Sequence, residues 1–278
     1  MTGAAHLPPS ADESIRRAAA AFSRGALLEA EQLAREALAR DPRHPVALHM
    51  VGVALLVQGR PADAIAPLRA ALGLQSDPAV ATQLATALRL TGNLAEAEKL
   101  LRPIIGQTPP YPAAFHELAA LLHADRRFRE ADEVAARGLA IAPGLPDLWI
   151  VSGMSKLDVG DRAAARAQLA NALSLAPEHP RALLGMGVAW LEDGQFSEAA
   201  DFLQRAIRTG QAPAQAFLSL AASLLELRRG EEALDCLRRA VAADPGLYPK
   251  ALKTLVTAGR GQFALKPSDM ERLLKPRI

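Results

Sequence analysis

Small and apolar residues recur along the chain at one long period. A glycine is followed five residues later by alanine, seven further on by a small residue, and five after that by proline. Gly25, Ala30, Ala37 and Pro42 form one such unit, and Gly160, Ala165, Ala172 and Pro177 another. Aligned on it, repeats start at 11, 45, 78, 112, 146, 180 and 214, each 34 residues apart except one interval of 33. Seven units cover 11–247. The anchor column is alanine throughout: Ala30, Ala64, Ala97, Ala131, Ala165, Ala199 and Ala233. Twelve residues before each stands another small residue: Ala18, Gly52, Ala85, Ala119, Gly153, Gly187 and Ala221.

These columns predict pairs of antiparallel helices. Two helices approach closely only where neither presents a bulky side chain, so the small residues mark a crossing. The intervening Gly25, Gly59, Gly92, Gly160 and Gly194 relieve the turn, and Pro42, Pro109, Pro143, Pro177 and Pro245 stop the second helix. Large residues fill the gaps: Leu48, Phe115, Trp149, Leu183 and Phe217 in one column, Leu55, Leu88, Leu122, Trp190 and Leu224 in another. After the repeats, Tyr248–Thr257 reads as one more amphipathic helix with Ala251, Leu252, Leu255 and Val256 inward. A glycine break follows, and Ser268 is placed to cap a short helix over Asp269–Leu274.

The period and its columns resemble the tetratricopeptide repeat family. The resemblance covers 237 of 278 residues. It implies an all-α fold: an α-solenoid, a right-handed superhelix of antiparallel helix pairs, after a flexible N-terminus (1–10) and ending in a C-terminal capping helix and basic tail (248–278). Departures are local. Arg126 and Arg228 replace the turn glycine, Ile104 and Gly138 replace an alanine, and Ser14 and Arg17 stand where apolar residues are usual. The first unit therefore reads as a polar cap of the kind that end repeats of a solenoid need.

Composition narrows the choice. Half the residues are apolar, 59 are alanine and only 4% are aromatic, which suits close helix packing and suits sandwiches, barrels or stacking platforms poorly. Basic and acidic residues nearly cancel, 32 against 30, and no aromatic–basic stripe compensates, so no nucleic-acid partner is expected. The tail from 248 on carries a net charge of +5, leaving −3 for the rest. A solvated cap is the simpler meaning of that charge, with a docking patch for an acidic partner as the alternative. Cys236 is the single cysteine, which excludes an intramolecular disulfide and a thiolate zinc site, and it reads as a small buried hydrophobe. The N-terminus has no signal-peptide pattern, and the longest apolar stretch, Pro45–Val57, is too short to span a bilayer. The expectation is a cytoplasmic protein with no membrane insertion. Arginine outnumbers lysine by 26 to 6, which with the alanine load points to a bacterial, GC-rich origin.

Motifs for chemistry are missing. Gly185-x-Gly187 lacks the third glycine of a phosphate loop, and Gly153-Met154-Ser155 lacks the glycine that closes a nucleophile elbow. His116-Glu117 with His123 lacks the one-turn spacing of two zinc-binding histidines. No catalysis, metal or cofactor is expected.

The resemblance implies that the first helix of each unit lines a concave groove. Carried over residue by residue, the groove holds His49, Met50 and Val53 in the second unit, Gln83, Thr86 and Arg89 in the third, and His116, Glu117 and His123 in the fourth. Ile150 and Met154 follow in the fifth, Leu184 and Val188 in the sixth, and Leu218 in the seventh. A polar band in units three and four thus lies between apolar walls. Lys and Asn are missing from these positions, so capture of a C-terminal carboxylate in the manner of the family's co-chaperones is not expected. The leading expectation is a protein–protein interaction scaffold that holds a peptide segment of a partner in the groove. The alternatives are an accessory module of a separate enzyme (a sulfotransferase, glycosyltransferase or oxygenase), a carrier of an apolar small molecule, or a groove covered by the chain's own tail or by a second copy in a homodimer.

Overall fold

The computed structural model describes residues 10–258, and among them it contains fifteen α-helices, one 3-10 turn and no strand. Two compact units, Met1–Arg126 and Arg127–Ile278, divide the chain. The first unit holds α1 (Ala11–Ser23), α2 (Leu27–Arg40), α3 (Pro45–Val57), α4 (Pro61–Leu74), α5 (Pro78–Leu90), α6 (Leu94–Ile104) and α7 (Pro112–Ala124). The second holds α8 (Phe128–Ile141), α9 (Pro146–Asp158), α10 (Arg162–Leu175), α11 (Pro180–Glu192), α12 (Phe196–Arg208), α13 (Ala214–Glu226), α14 (Gly230–Ala243) and α15 (Tyr248–Ala258). The 3-10 turn Pro245–Leu247 joins the last two.

Proline opens five of the odd-numbered helices, at Pro45, Pro78, Pro112, Pro146 and Pro180. A first helical residue has no intrahelical use for its N–H, and proline arrives with φ already helical. The turn inside each pair is one recurring structure. Gly25, Gly59, Gly92, Gly160 and Gly194 all have φ between +74° and +87°. The residue after each sends its N–H back across the turn, as in Ala26 to the Ala21 carbonyl and Gln195 to the Trp190 carbonyl, both at 2.9 Å. That is the bond that closes a helix ending in a left-handed residue. Arg126 and Arg228 occupy the same place with φ of +62° each, so the two arginines that break the glycine column adopt the glycine's conformation.

The small-residue columns lie at the helix crossings. All seven anchor alanines are fully buried. In the column twelve residues earlier, a Cβ placed on Gly52 would lie 2.4 Å from Cγ of Leu68, one on Gly153 2.7 Å from Cγ of Leu169, and one on Gly187 2.5 Å from Cγ of Leu203. Each glycine therefore makes room for a leucine of its partner helix, and the fully buried Leu68, Leu169 and Leu203 fill the space.

Within each unit a helix also packs on the first helix of the next repeat, as α2 on α3, α4 on α5 and α12 on α13. First helices also touch one another directly: α1 with α3, α3 with α5, and α5 with α7 in the first unit, and α9 with α11, α11 with α13, and α13 with α15 in the second. That closer row forms the inner side of each unit. Polar ties reinforce the stacking. Glu31 of α2 accepts from Gln58 at 2.9 Å and from Arg35 at 2.8 Å, and pairs with Arg60 at 3.3 Å. Burial opposes its charge, but the hydrogen bonds from Arg35 and Gln58 and the charges of Arg35 and Arg60 outweigh that and hold the carboxyl below its ordinary range.

At the ends, Ser14 faces inward, fully buried, and accepts from Arg40 at 3.3 Å, so it serves the packing of the first pair while Arg17 stays in solvent. The last helix covers the final repeat with Ala251 and Leu255. Val256, expected inward, is 56% exposed. It follows Leu255 by about 100° around the helix and so leaves the packed face that Tyr248, Ala251, Leu252 and Leu255 share. The short helix expected over 269–274, its cap Ser268, and the basic residues from Arg260 onward lie outside the described residues.

Candidate functional site

The inner row of the first unit carries the polar band. His49, Met50, Val53, Gln83, Thr86, Arg89, His116 and His123 are all half-buried there. The band is bonded to itself. His49 Nε2–H of α3 donates to Oε1 of Gln83 of α5. Arg89 of α5 donates through Nε to Glu117 of α7 at 2.5 Å, with Nη2 at 3.4 Å from the other oxygen. Glu117 is 4% exposed, so its carboxylate is a buried charge that Arg89 compensates. Thr86 donates its hydroxyl to the Thr82 carbonyl of its own helix at 3.1 Å. The pairs His49–Gln83 and Arg89–Glu117 join successive repeats, while Thr86 is bonded within its own helix.

Beside this band runs an apolar stripe. Val46, Met50, Val53 and Val57 of α3 are spaced four, three and four residues apart, which puts them on one face. Val46 is 45% exposed and Val57 59% exposed, and the two between them are half-buried. The helix that bears them is almost wholly apolar, its other faces being used by the buried Ala47, Val51, Ala54 and Leu55. A helix apolar all round meets protein on every side or leaves a face for a partner. Leu90, at the end of α5, adds a further exposed aliphatic group in the same unit.

In the second unit the sequence expectation needs correction. Ile150, Leu184 and Leu218 are buried core residues rather than groove surface. Ile150 packs with Leu169, Ala172, Ala182 and Met186, and Leu184 and Leu218 pack into the core that α15 closes. The pitch between neighbouring first helices turns these positions into the seam between repeats, and burial follows. Met154 and Val188 remain half-buried on the inner row. A Cβ on Gly185 of α11 would lie 2.8 Å from the Met154 sulfur, so Met154 lies across from α9 onto α11.

The second unit also holds a cleft of about 390 Å³, in which α15 adds side chains to first-helix positions of α11 and α13. Leu191 of α11 and Ala222 of α13 line its apolar side with the buried Leu218 at its floor, and Gln215, Ser219, Lys250, Lys253, Thr254 and Thr257 line its polar side. The lysines come from α15, a helix read from sequence as a cap. Tyr248, Ala251, Leu252 and Leu255 form its packed face, and Lys250, Lys253 and Thr257 fall beside that face. Cys236 is buried in α14, and burial pushes its thiol up to about 11, as befits a packing residue. Among the described residues, no helix is long and apolar enough to cross a membrane.

No curated protein matches the sequence. The family model described as tetratricopeptide repeat matches residues 15–81 and 151–213. Among solved structures, a tetratricopeptide repeat protein from Parabacteroides merdae is similar at 14% identity with a TM-score of 0.69, over 89% of this chain and 99% of that one. A thermophilic protein of the same kind from Thermus thermophilus is 22% identical with a TM-score of 0.59, over 66% of this chain and 100% of its own. A chain of the Cut9–Hcn1 hetero-tetramer of the APC/C aligns at 14% identity with a TM-score of 0.67, over 95% of this chain and 55% of that one. At these identities the likeness is one of fold. The shared fold and the match of the repeat model over 15–81 and 151–213 together support a tetratricopeptide repeat protein.

Proposed function

We propose that the chain is a non-catalytic, cytoplasmic bacterial scaffold whose inner helix row holds a segment of a partner protein. Tetratricopeptide repeats generally serve as protein–protein interaction scaffolds, and the APC/C neighbour was crystallised within a hetero-tetramer. The observation that carries the reading is the stripe Val46, Met50, Val53 and Val57 on α3, an aliphatic face left partly open on a helix whose other faces are packed. Each aliphatic side chain covered there contributes up to about 1.5–3 kcal/mol, so three or four anchors suffice for a specific contact. The self-bonded pairs His49–Gln83 and Arg89–Glu117 support it by keeping the neighbouring wall in one arrangement, which lowers the ordering cost of association.

The test is affinity capture with the double variant Val46→Glu, Val57→Lys. Both sites are exposed, and a carboxylate near the N-terminus of α3 and an ammonium near its C-terminus both suit the helix dipole. The expected result is loss of the captured partner with helicity and melting temperature held. An unchanged catch overturns the reading. Arg89 is a poor probe for this purpose, because its removal strands the buried Glu117 carboxylate.

A further inference from the structure

The cleft between α11, α13 and α15 has a chemistry of its own. Its polar side is rich in donors. Lys250 and Lys253 are exposed ammonium groups standing one above the other on α15. Gln215 brings an amide from the first turn of α13. The two threonines have their hydroxyl hydrogens engaged, Thr254 on the Lys250 carbonyl at 3.0 Å and Thr257 on the Lys253 carbonyl at 2.9 Å. Among the described residues, no carboxylate lines the cleft. Neither lysine is paired with an acid among the described residues, whereas Arg89, Lys156, Arg162 and Arg229 each are. Opposite the lysines, the half-buried Leu191 and Ala222 offer an apolar wall, with the buried Leu218 behind them.

Two positive charges without counter-charge among the described residues, set against an apolar wall, fit a ligand that brings both carboxylates and aliphatic groups. From this juxtaposition we infer that the cleft binds an acidic, leucine-bearing peptide segment of a partner protein, with Lys250 and Lys253 on its carboxylates and Leu191 and Ala222 under its aliphatic side chains. The inference rests on the scaffold reading and adds a second contact, at the capping helix, with a defined charge. It gives α15 a recognition role beside its packing role. The described part of the C-terminal region supplies the charge complementarity that the inner row of the first unit does not.

The probes are three fluorescein-labelled peptides in which leucine alternates with aspartate, with asparagine or with lysine. Their binding to the full chain is read by anisotropy. The aspartate peptide is expected to bind, at least about tenfold more tightly than the asparagine peptide, and the lysine peptide not to bind. Its affinity falls as salt rises from about 0.05 M to about 0.5 M, because the contact is exposed and screened. The double variant Lys250→Glu, Lys253→Glu reverses the order of the peptides, and Lys99→Glu, an exposed lysine of the first unit, leaves it alone. Three peptides that bind equally, an aspartate peptide that does not bind, or an order that survives the double variant overturns the inference. Binding that appears only once residues 259–278 are removed assigns the cleft to that segment and overturns it too. The scaffold reading fails by a different route, an unchanged catch from the Val46→Glu, Val57→Lys chain, so the two failures are distinguishable.

Discussion

A single methyl group decides much of this fold. Gly153 faces Leu169 so closely that a Cβ would lie 2.7 Å from Cγ, 3.0 Å from Cδ2 and 3.3 Å from the Ala165 carbonyl. The leucine side chain can yield in part, the backbone oxygen of the partner helix cannot. Gly153→Ala is therefore expected to destabilise the chain by about 1–3 kcal/mol, as overpacked cores do. Gly73, on the exposed side of α4, meets nothing within 4 Å. There the same change limits the unfolded chain without straining the folded one, so Gly73→Ala should stabilise by about 0.4–1 kcal/mol. Denaturant melts of the two variants check the pair, and opposite signs are the result to look for. The crossing column was legible in the sequence because packing of this kind is repeated at every pair. The polar pairs were not. His49–Gln83 and Arg89–Glu117 join side chains of successive repeats whose separation follows from the tilt between helices, and no column of one repeat encodes that tilt. Ile150, Leu184 and Leu218 were misplaced for the same reason.

At the scale of the element, the turn inside each pair was readable because glycine marks it in five units out of seven. The remaining two show that the shape is dictated by the pair and not by the residue. Arg126 and Arg228 sit at φ of +62°, a conformation in which an L-residue brings its Cβ close to the following carbonyl at roughly 1–2 kcal/mol. The packing of α13 on α14 and the bond from the Arg229 N–H to the Leu224 carbonyl at 2.8 Å hold Arg228 there. Arg228→Gly relieves the strain, while glycine widens the unfolded ensemble and returns part of the gain. The net expectation is a stabilisation of up to about 1 kcal/mol, read as a shift of the urea midpoint at constant slope. A midpoint that moves down would mean that the arginine side chain holds the turn by contacts worth more than the strain. The capping helix is the element whose sequence said least. Its apolar spacing announced a helix, but the placement of Lys250 and Lys253 beside α11 and α13 depends on how that helix lies on the last repeat, which only the packing of Tyr248, Ala251, Leu252 and Leu255 settles.

At the scale of the whole molecule, the packed helix pairs within each unit are, among the described residues, neighbours in the chain or neighbours one repeat on. A structure assembled from nearest-neighbour contacts distributes its stability in the same way, as a sum of repeat terms and interface terms. Damage to one repeat should then spread by weakening its flanking interfaces and fade with distance. Gly187→Ala supplies such damage at the centre of the second unit, since its Cβ would lie 2.5 Å from Cγ of Leu203 and 3.3 Å from the Ala199 carbonyl. Hydrogen exchange read by mass spectrometry should show the greatest loss of protection in α11 and α12, less in α9, α10, α13 and α14, and least in α8 and α15. The gradient follows from geometry, because α11 packs mainly on α9, α10, α12 and α13. An equal loss across all eight helices of the unit would mean that the unit unfolds as one block, with interfaces so strong relative to single repeats that no helix pair opens by itself. In that case the α11–α13–α15 cleft would open and close only with its whole unit, and a ligand bound there would protect α8 as much as α13.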